Sequence, residues 1–319
     1  MPPRRVIGID AGGTKLLGGV VDEALVVHHR VHRSWGGADR QKTLDTFVDA
    51  VEEVRAAAPD ARAVGFGIPA LVEWETGVSR WSNHLPLDEV PFRDLMSERL
   101  GLPVVVDNDG NASMLAEARA GAARSARHAV MVALGTGIGS GLLLDGRLYR
   151  GARGFAPELG HMVLSLDGPD CPGDCPGRGC FELLVSGTAI GVLGRSLAAE
   201  RPDSELGRRL AAGHEVSGGI VTELAHGGDP AARAVLAEIG RRLGFGLVGV
   251  VNVFNPEVIV IGGGAVGAGG LLIEPAREVV ARHALPPGRS SVEIVPAHFG
   301  DEAGMLGAAL MALEGEGGA

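Results

Sequence analysis

The stretch RRVIGIDAGGTKLLGGVV, from Arg4 to Val21, joins two short apolar runs through a glycine-rich turn. Two such runs on either side of a glycine turn predict a β-hairpin. Gly12 and Gly13 allow a backbone to approach phosphate, Thr14 adds a hydroxyl, and Asp10 is placed to hold Mg²⁺ directly or through water. The alternative is an ordinary tight turn with an exposed aspartate. The turn is not a P-loop, because the glycine spacing differs and a strand follows where a P-loop has a helix.

The same order of strand, glycine turn and strand recurs near the middle of the chain. Ala129 to Leu134 is an apolar run, GTGIGSG follows from Gly135 to Gly141, and Leu142 to Leu144 is apolar again. This repeat predicts two related lobes, each presenting a glycine hairpin to one polyphosphate between them. A Rossmann dinucleotide site is disfavoured, since a strand follows these glycines.

Hydrophobic periodicity predicts an α/β protein around these hairpins. The chain has 319 residues, enough for two lobes at roughly 150 residues per domain. We predict an N-terminal lobe from 1–115 with 301–319, and a C-terminal lobe from 116–300. Further strands are predicted at 25–31, 63–68, 72–81 (a hairpin), 103–106, 258–261 and 292–296. Helices are predicted at 42–57, 92–100, 112–120, 181–199, 231–248 and 305–313, with 205–251 mostly helical.

All three cysteines of the chain lie in CPGDCPGRGC, from Cys171 to Cys180, with Cys175 between them. Thiols this close together indicate thiolate ligation, and His161 upstream completes a His/Cys₃ set suited to tetrahedral Zn²⁺. A disulfide is the weaker alternative, because an odd number of cysteines leaves one thiol over and no secretory segment is evident.

Two glutamates flank this cysteine segment, Glu158 before it and Glu182 after it. A zinc-closed loop would bring both carboxylates near His161, where they could grip vicinal hydroxyls of a sugar. The alternative is a zinc-closed surface loop whose glutamates are merely solvated.

A second polar cluster, Asp107-Asn108-Asp109-Gly110-Asn111, ends a predicted strand just before a predicted helix. This is where α/β sheets bind ligands, so one carboxylate could accept a hydroxyl proton while the amide holds a sugar. Helix capping by Asp109 or Asn111 explains the same residues. Asn83 could also reach a sugar hydroxyl, although asparagine in a turn usually bonds to its own backbone.

The composition narrows the range of partners. The formal net charge is −10, from 29 basic and 39 acidic residues, which disfavours duplex nucleic acid. Aromatic residues make up 4% of the chain, too few for a platform that stacks single-stranded bases. A hydrophobic content of 45% without a signal core or a membrane span predicts a folded cytoplasmic protein.

Taken in order, these motifs resemble the ROK family, whose members are bacterial sugar kinases, sugar-responsive repressors and relatives on the actin/hexokinase-like (ribonuclease H-like) fold. The resemblance covers nearly the whole chain, and its most specific part is ELGH with the cysteine cluster. The motifs are GIDAGGTK (8–15), VDNDGNA (106–112), LGTGIGSG (134–141), ELGH (158–161), CPGDCPGRGCFE (171–182) and VIGGG (260–264).

The resemblance implies an ATP-dependent kinase that phosphorylates a sugar hydroxyl, most simply the 6-OH of glucose, with Mg²⁺ and Zn²⁺ as cofactors. Asp109 matches the catalytic base. Asn108, Glu158, His161 and Glu182 match sugar-binding residues, and His161 also matches a zinc ligand. The phosphate and Mg²⁺ loops are matched by Asp10, Gly12, Gly13, Thr14, Lys15, Thr136 and Gly137, and Gly263 lies on the adenosine side.

Two features depart from the family pattern. The spacing is CxxxCxxxxC instead of the common CxCGxxGC, and Pro157 precedes Glu158 where the family often has glycine.

Several alternatives stay open within the resemblance. The acceptor could be N-acetylmannosamine, fructose or allose, and polyphosphate could replace ATP. A sugar-sensing regulator is the alternative from another class, although seven residues before GIDAGGTK leave no room for a DNA-reading domain. The resemblance also implies a homodimer or homotetramer.

Overall fold

Two five-stranded sheets organise the structure, a computed structural model that describes residues 3–12, 15–34 and 39–316. Strands β1 to β12 span Arg5–Ala11, Lys15–Asp22, Val27–Ser34, Val64–Ile68, Leu71–Glu73, Val78–Trp81, Val104–Asn108, Ala129–Leu134, Ile138–Leu144, Arg147–Leu148, Val258–Gly262 and Glu293–Pro296. Helices α1 to α11 span Arg40–Ala57, Phe92–Leu100, Asp109–Ala120, Glu182–Val185, Gly187–Glu200, Glu205–Ala211, Gly218–His226, Pro230–Phe254, Gly270–His283, Pro286–Ser291 and Ala303–Glu316. None of these described helices combines the length and the apolar composition that a bilayer span requires.

The chain forms two compact units. The first unit comprises residues 1–124, 141–157 and 301–319, and the second comprises residues 125–140 and 158–300. Strand β9 begins in the second unit, and its residues from Gly141 onward are grouped with the first. The predicted lobe boundaries differ from these units at 116–124 and 141–157, so the division at 115/116 stays a prediction.

The first sheet has the order β3-β2-β1-β4-β7. The glycine hairpin forms the antiparallel pair β1–β2, and β3 also pairs antiparallel with β2. Strands β1, β4 and β7 run parallel, with Asp10 beside Gly67 and Gly67 beside Asp107. Because parallel strands end at the same edge, the acids at the carboxyl ends of β1 and β7 are brought together there.

Helix α11 returns from the end of the chain to cover the first sheet. It packs against β1, β4 and α3, and the predicted packing of a closing helix on the first lobe is confirmed. The approach is close enough that a methyl group on Gly65 would overlap the carbonyl oxygen of Ala308. Glycine is therefore required here for contact between two backbones.

Three phenylalanines form the centre of the first unit's core. Phe47 of α1, Phe66 of β4 and Phe92 of α2 are fully buried. Their rings meet edge to face with centroid separations of 5.3–5.7 Å. This is the preferred geometry of aromatic pairs, so α1 and α2 are fixed on one face of the sheet.

The second sheet has the order β10-β9-β8-β11-β12, in which β8, β11 and β12 run parallel. The long helix α8 begins at Pro230. Asp229 caps its start, where its side chain accepts a hydrogen bond from the N–H of Ala232 at 2.8 Å. It ends at Asn255 in the left-handed conformation and packs along α9. Both ends therefore carry residue types favoured at helix termini.

The predicted α/β class with duplicated hairpin-containing sheets is confirmed, and three differences have physical causes. Helix α3 begins at Asp109, earlier than predicted, because Asn108 caps it. The predicted helix 181–199 is divided at Ser186, whose hydroxyl caps α5. Helices α9 and α10 were not predicted, since Pro275 inside α9 and two prolines at the start of α10 resemble helix breakers.

We expect Phe66→Ala to destabilise the first unit by about 3–5 kcal/mol, because it leaves a cavity among the three rings. The measurement is the midpoint and slope of urea unfolding. The same substitution at Phe245, which is 45% exposed, is the control and should cost far less. Equal losses for the two variants would contradict the assignment of the core.

Candidate active site

Asp10 and Asp109 both border Gly67, at the edge of the first sheet. A methyl group on Gly67 would stand 3.3 Å from the Cα of Asp109 and 3.6 Å from Oδ1 of Asp10. The two predicted site residues, one from the carboxyl end of β1 and one directly after the carboxyl end of β7, are thus neighbours. Asp10 was predicted to hold Mg²⁺ and Asp109 to act as base.

The carboxylate of Asp10 lies against the start of α11, where a methyl group on Gly304 would overlap it. Burial raises the pKa of Asp10 well above its usual range, and the charges of Asp109 and Asp301 raise it further. Carboxylates that repel one another in this way suit a divalent cation. Asp301 was missed, because nothing in its own sequence context separates it from an ordinary helix-start acid.

Asp109 is the first residue of α3. Its Oδ1 accepts a hydrogen bond from the N–H of Gly110 at 2.9 Å. Burial raises the pKa of Asp109 to about 6, aided by the charge of Asp107 and opposed by the Gly110 N–H and by His84. A carboxylate with such a pKa is ionised at neutral pH and is a stronger base than an exposed aspartate.

Asn108 uses its side-chain oxygen to cap α3, accepting from the N–H groups of Gly110 at 2.8 Å and Asn111 at 3.4 Å. The capping alternative named Asp109 or Asn111, and the structure gives the main role to Asn108. Its amide nitrogen donates to the carbonyl of Ala70 at 3.4 Å, a long bond that a better acceptor could replace. Asn83, the other predicted amide ligand, is half-buried in the turn after β6.

The two glycine turns differ in how much of them is described. In the first, the N–H of Gly12 donates to the carbonyl of Lys15 at 2.8 Å, and Lys15 is exposed. Gly13 and Thr14 lie outside the described residues. In the second, the N–H of Gly135 donates to the carbonyl of Gly137 at 3.0 Å, and Thr136 is exposed at the tip.

Gly263 follows β11, the strand paired with β8, and has a φ of 76°. This left-handed conformation favours glycine and turns the chain directly after the strand. The structure thus places Gly263 in a turn at the end of a strand of the second sheet, the position from which the adenosine role was predicted.

His161, Cys171, Cys175 and Cys180 form one group in the second unit. Their ligand atoms all lie within 4.8 Å of one another, and Nδ1 of His161 is 3.3 Å from Sγ of Cys175. Ligands of a tetrahedral zinc ion stand about 3.5–3.8 Å apart, given zinc bonds of about 2.0–2.3 Å. The donor types and the spacing therefore fit a zinc ion, despite the longer interval between the first two cysteines.

Glu182 adjoins this group. Its Oε1 is 3.0 Å from Sγ of Cys171 and 3.8 Å from Nδ1 of His161. On the other side, its Oε2 occupies the space that a side chain on Gly137 would need. Glu182 is 7% exposed, so it connects the cysteine group with the second glycine turn inside one unit.

Glu158 is half-buried and follows Pro157, whose peptide bond with Ala156 is cis. Its carbonyl oxygen accepts the N–H of His161 at 3.1 Å, and the hydroxyl of Ser140 accepts the N–H of Leu159 at 3.1 Å. These bonds fix the ELGH turn beside β9, so the predicted residues Glu158 and His161 are held by one short turn.

Two duplicated hairpin sheets, paired acids at one strand edge and a His/Cys₃ group define the class of proteins on the actin/hexokinase-like fold that includes sugar kinases. A sequence model described as the ROK family matches residues 6–315, and the chain belongs to the ROK family.

Three similar proteins illustrate the range of the family. The glucokinase of Thermotoga maritima is 34% identical, with 100% of both chains covered. The xylose repressor of Caldicellulosiruptor bescii is 28% identical, covering 97% of this chain and 78% of the repressor. The solved structure of a ROK family glucokinase from Streptomyces griseus, in complex with glucose and AMPPNP, has a TM-score of 0.88 at 31% identity, covering 97% of this chain and 99% of that one.

We expect Asp109→Asn to stabilise the protein at neutral pH. A pKa that folding raises from 3.8 to about 6 penalises the ionised form by at most about 3 kcal/mol, and a neutral amide avoids that penalty. The penalty is absent below the unfolded pKa, develops as pH rises from about 4 to 6, and stays constant above that. Thermal unfolding without Mg²⁺ at about pH 4.5 and pH 7.5 measures it.

The control is Asp49→Asn, which changes an exposed aspartate on α1 of the same unit. Its effect on the unfolding temperature should be small at both pH values. A destabilised Asp109→Asn protein at pH 7.5 would show that the ionised carboxylate is favoured in the fold, contrary to this assignment.

Proposed function

We propose that this protein transfers the γ-phosphoryl group of ATP to the 6-hydroxyl of glucose. The observation that carries the proposal is the pair Asp10 and Asp109 at one strand edge, with the pKa of Asp109 raised to about 6. Membership of the ROK family and the full-length similarity to glucokinases support the same reaction.

Asp109 is proposed as the base. It accepts the proton of the sugar hydroxyl as that oxygen bonds to the γ-phosphorus and the bond to the β-phosphate oxygen of ATP breaks. ADP leaves with that electron pair. In phosphoryl transfer the alcohol becomes acidic late, so the carboxylate needs to be correctly placed more than strongly basic. Its place as first residue of α3, against the Gly110 N–H, gives it that fixed direction.

The phosphate-binding role is assigned to both glycine turns. We propose that Asp10, Gly12, Gly13, Thr14 and Lys15 are phosphate- and Mg²⁺-binding residues, and that Thr136, Gly137 and Gly263 are nucleotide-binding residues. Mg²⁺ supplies charge neutralisation on the phosphates. Asp10 suits this task because its ionised form is costly without a cation beside it.

The sugar-binding role is assigned to Asn83, Asn108, Glu158, His161 and Glu182. Nδ1 is the nitrogen of His161 that faces Cys175 and Glu182, which leaves Nε2 to contact a hydroxyl. Zinc bound by His161 and the three cysteines would hold this imidazole in one orientation and close the loop 161–180. Glu158, fixed by the ELGH turn, would accept from an adjacent hydroxyl.

A coupled ADP-release assay tests the reaction over glucose, N-acetylmannosamine, fructose, allose and xylose, with ATP or polyphosphate as donor. We expect the highest kcat/KM for glucose with ATP. A different preferred hexose or donor would revise the specificity. The absence of turnover with every pair, together with a gel shift on genomic fragments that responds to a sugar, would favour the regulatory role of the xylose repressors in the family. The cytoplasmic location and the dimer or tetramer stay predictions.

We expect Asp109→Asn to lower kcat by about 10²–10⁴-fold while glucose binding stays measurable by calorimetry, because the amide cannot accept the proton. In the wild type, kcat/KM should fall as pH drops below about 6, since protonation removes the base. Asp49→Asn is again the control. Retention of kcat within a few-fold in Asp109→Asn would remove the assignment.

We expect Cys175→Ser to lose bound zinc, measured by emission spectrometry on the purified protein, and to unfold at a lower temperature. A structural metal contributes directly to folding, and serine is a poor replacement for a thiolate ligand. Asp167→Asn, an exposed change in the same loop, should keep its metal. A wild type purified without zinc, or a Cys175→Ser protein with full zinc content, would contradict the site.

A further inference from the structure

Arg150 forms an ion pair in the first unit with Asp107, the first acid of the Asp107-Asn108-Asp109 cluster. Its Nε donates to Oδ2 of Asp107 at 2.7 Å, and the Asp107 side chain is 1% exposed. The guanidinium also lies over the ring of Trp74, with its central carbon 3.6 Å from the ring centroid. Pairing on one side and stacking on the other restrict the guanidinium to one orientation.

The remaining oxygen of Asp107 holds the first turn of α3. Oδ1 accepts from the N–H of Asn108 at 2.8 Å and from Nδ2 of Asn111 at 3.0 Å. Asn108 is the cap of α3, Asp109 is its first residue, and Asn111 lies two residues further on. One carboxylate therefore joins Arg150 to the turn that carries Asp109.

The segment that carries Arg150 is itself anchored. The carbonyl oxygen of Arg150 accepts the N–H groups of Gly154 at 3.0 Å and Ala156 at 3.1 Å, and Trp74 donates its N–H to the carbonyl of Arg153 at 3.2 Å. A methyl group on Gly154 would overlap the carbonyl of Val72 in β5. Arg150 is thus presented from a tight loop fixed against β5.

We propose that Arg150 is a positioning residue for Asp109, which it orients through Asp107 without touching the sugar. The inference rests on the proposed role of Asp109 as base. A buried carboxylate without its counter-charge is strongly unfavourable, so the removal of Arg150 forces Asp107 to take up a proton or to move. Either response disturbs its bonds to Asn108 and Asn111, and with them the direction of Asp109.

Arg150 affects the charges around Asp109 as well as its position. Burial raises the pKa of Asp107, while Arg150, Asn111 and the Asn108 N–H oppose that rise. The charge of Asp107 raises the pKa of Asp109, and His84 opposes it. The pKa of Asp10 is raised by burial and, in addition, by the charges of Asp109 and Asp301. Without Arg150 the Asp107–Asp109 pair keeps a proton to higher pH, because two near carboxylates have lost one counter-charge.

The kinetic test compares Arg150→Met, which keeps the apolar stem, with Arg147→Met, which removes an exposed positive charge on nearby β10. We expect kcat/KM for sugar to fall about 100-fold in Arg150→Met, the size of effect that a small misplacement of a catalytic group produces. The acid limb of its pH profile should move upward by at least about half a pH unit. Arg147→Met should resemble the wild type in both.

A merely structural Arg150 would lower thermal stability without moving the acid limb. An unmoved acid limb, or a kcat/KM within twofold of Arg147→Met, therefore overturns the proposal. If Arg150→Met does not fold, the variant Asp107→Asn/Arg150→Met replaces it, since it leaves no unpaired buried charge. We expect it to fold and to lose about tenfold in kcat/KM, and wild-type kcat/KM in it overturns the proposal.

A second measurement does not depend on catalysis. Folding raises the pKa of Asp107, so its penalty is absent at low pH and grows as pH rises. The unfolding temperature of Arg150→Met should therefore fall below that of the wild type by more at about pH 7.5 than at pH 4.5. In the Asp107→Asn background, the loss of unfolding temperature caused by Arg150→Met should no longer grow with pH. A pH-independent difference overturns the coupling, whereas a wild type that phosphorylates no sugar overturns only the proposed function.

Discussion

The parallel alignment of β1, β4 and β7 is the constraint on which the proposed chemistry of the first unit depends. Parallel strands end at one edge, and here the edge carries Asp10 near the end of β1 and the Asp107–Asp109 cluster at the end of β7. Burial raises the pKa of Asp10 and of Asp109, and the charges of neighbouring carboxylates raise both further. The fold therefore concentrates negative charge where a cation and a proton acceptor are both needed.

Such a concentration is tolerated because each acid has a different compensating neighbour. Asp107 has Arg150 and two N–H donors, Asp109 has the Gly110 N–H at the start of α3, and Asp10 has the start of α11 beside it. Helix N-termini favour negative charge, which supports both Asp109 and Asp10. The acid whose pKa is raised both by burial and by two neighbouring carboxylates, Asp10, is the one for which a metal ion is the natural partner.

Sequence alone went furthest where the chemistry lies in contiguous residues. The glycine hairpins, the Asp107–Asn111 cluster and the cysteine segment can each be recognised within about ten residues. The fold class and the His/Cys₃ group therefore followed from pattern and resemblance. The Arg150–Asp107 pair did not, because its members are 43 positions apart and Arg150 stands in no unusual local context. Asp301 was missed for the same reason. The start of α3 was misplaced because a capping asparagine inside an acidic cluster is indistinguishable, in sequence, from a ligand.

Family membership does not by itself decide between an enzyme and a regulator, since both a glucokinase and a xylose repressor are similar to this chain. The two compact units carry residues with different proposed roles, and this difference bears on the choice. The His/Cys₃ group, Glu158 and Glu182 belong to the second unit, and the sugar recognition proposed for them is something that an enzyme and a sensor need alike. The aspartates proposed for phosphoryl transfer belong to the first unit, and the raised pKa of Asp109 is typical of a catalytic carboxylate. Arg150, which pairs with the buried Asp107 beside the turn that carries Asp109, is a further feature of the kind that catalysis needs.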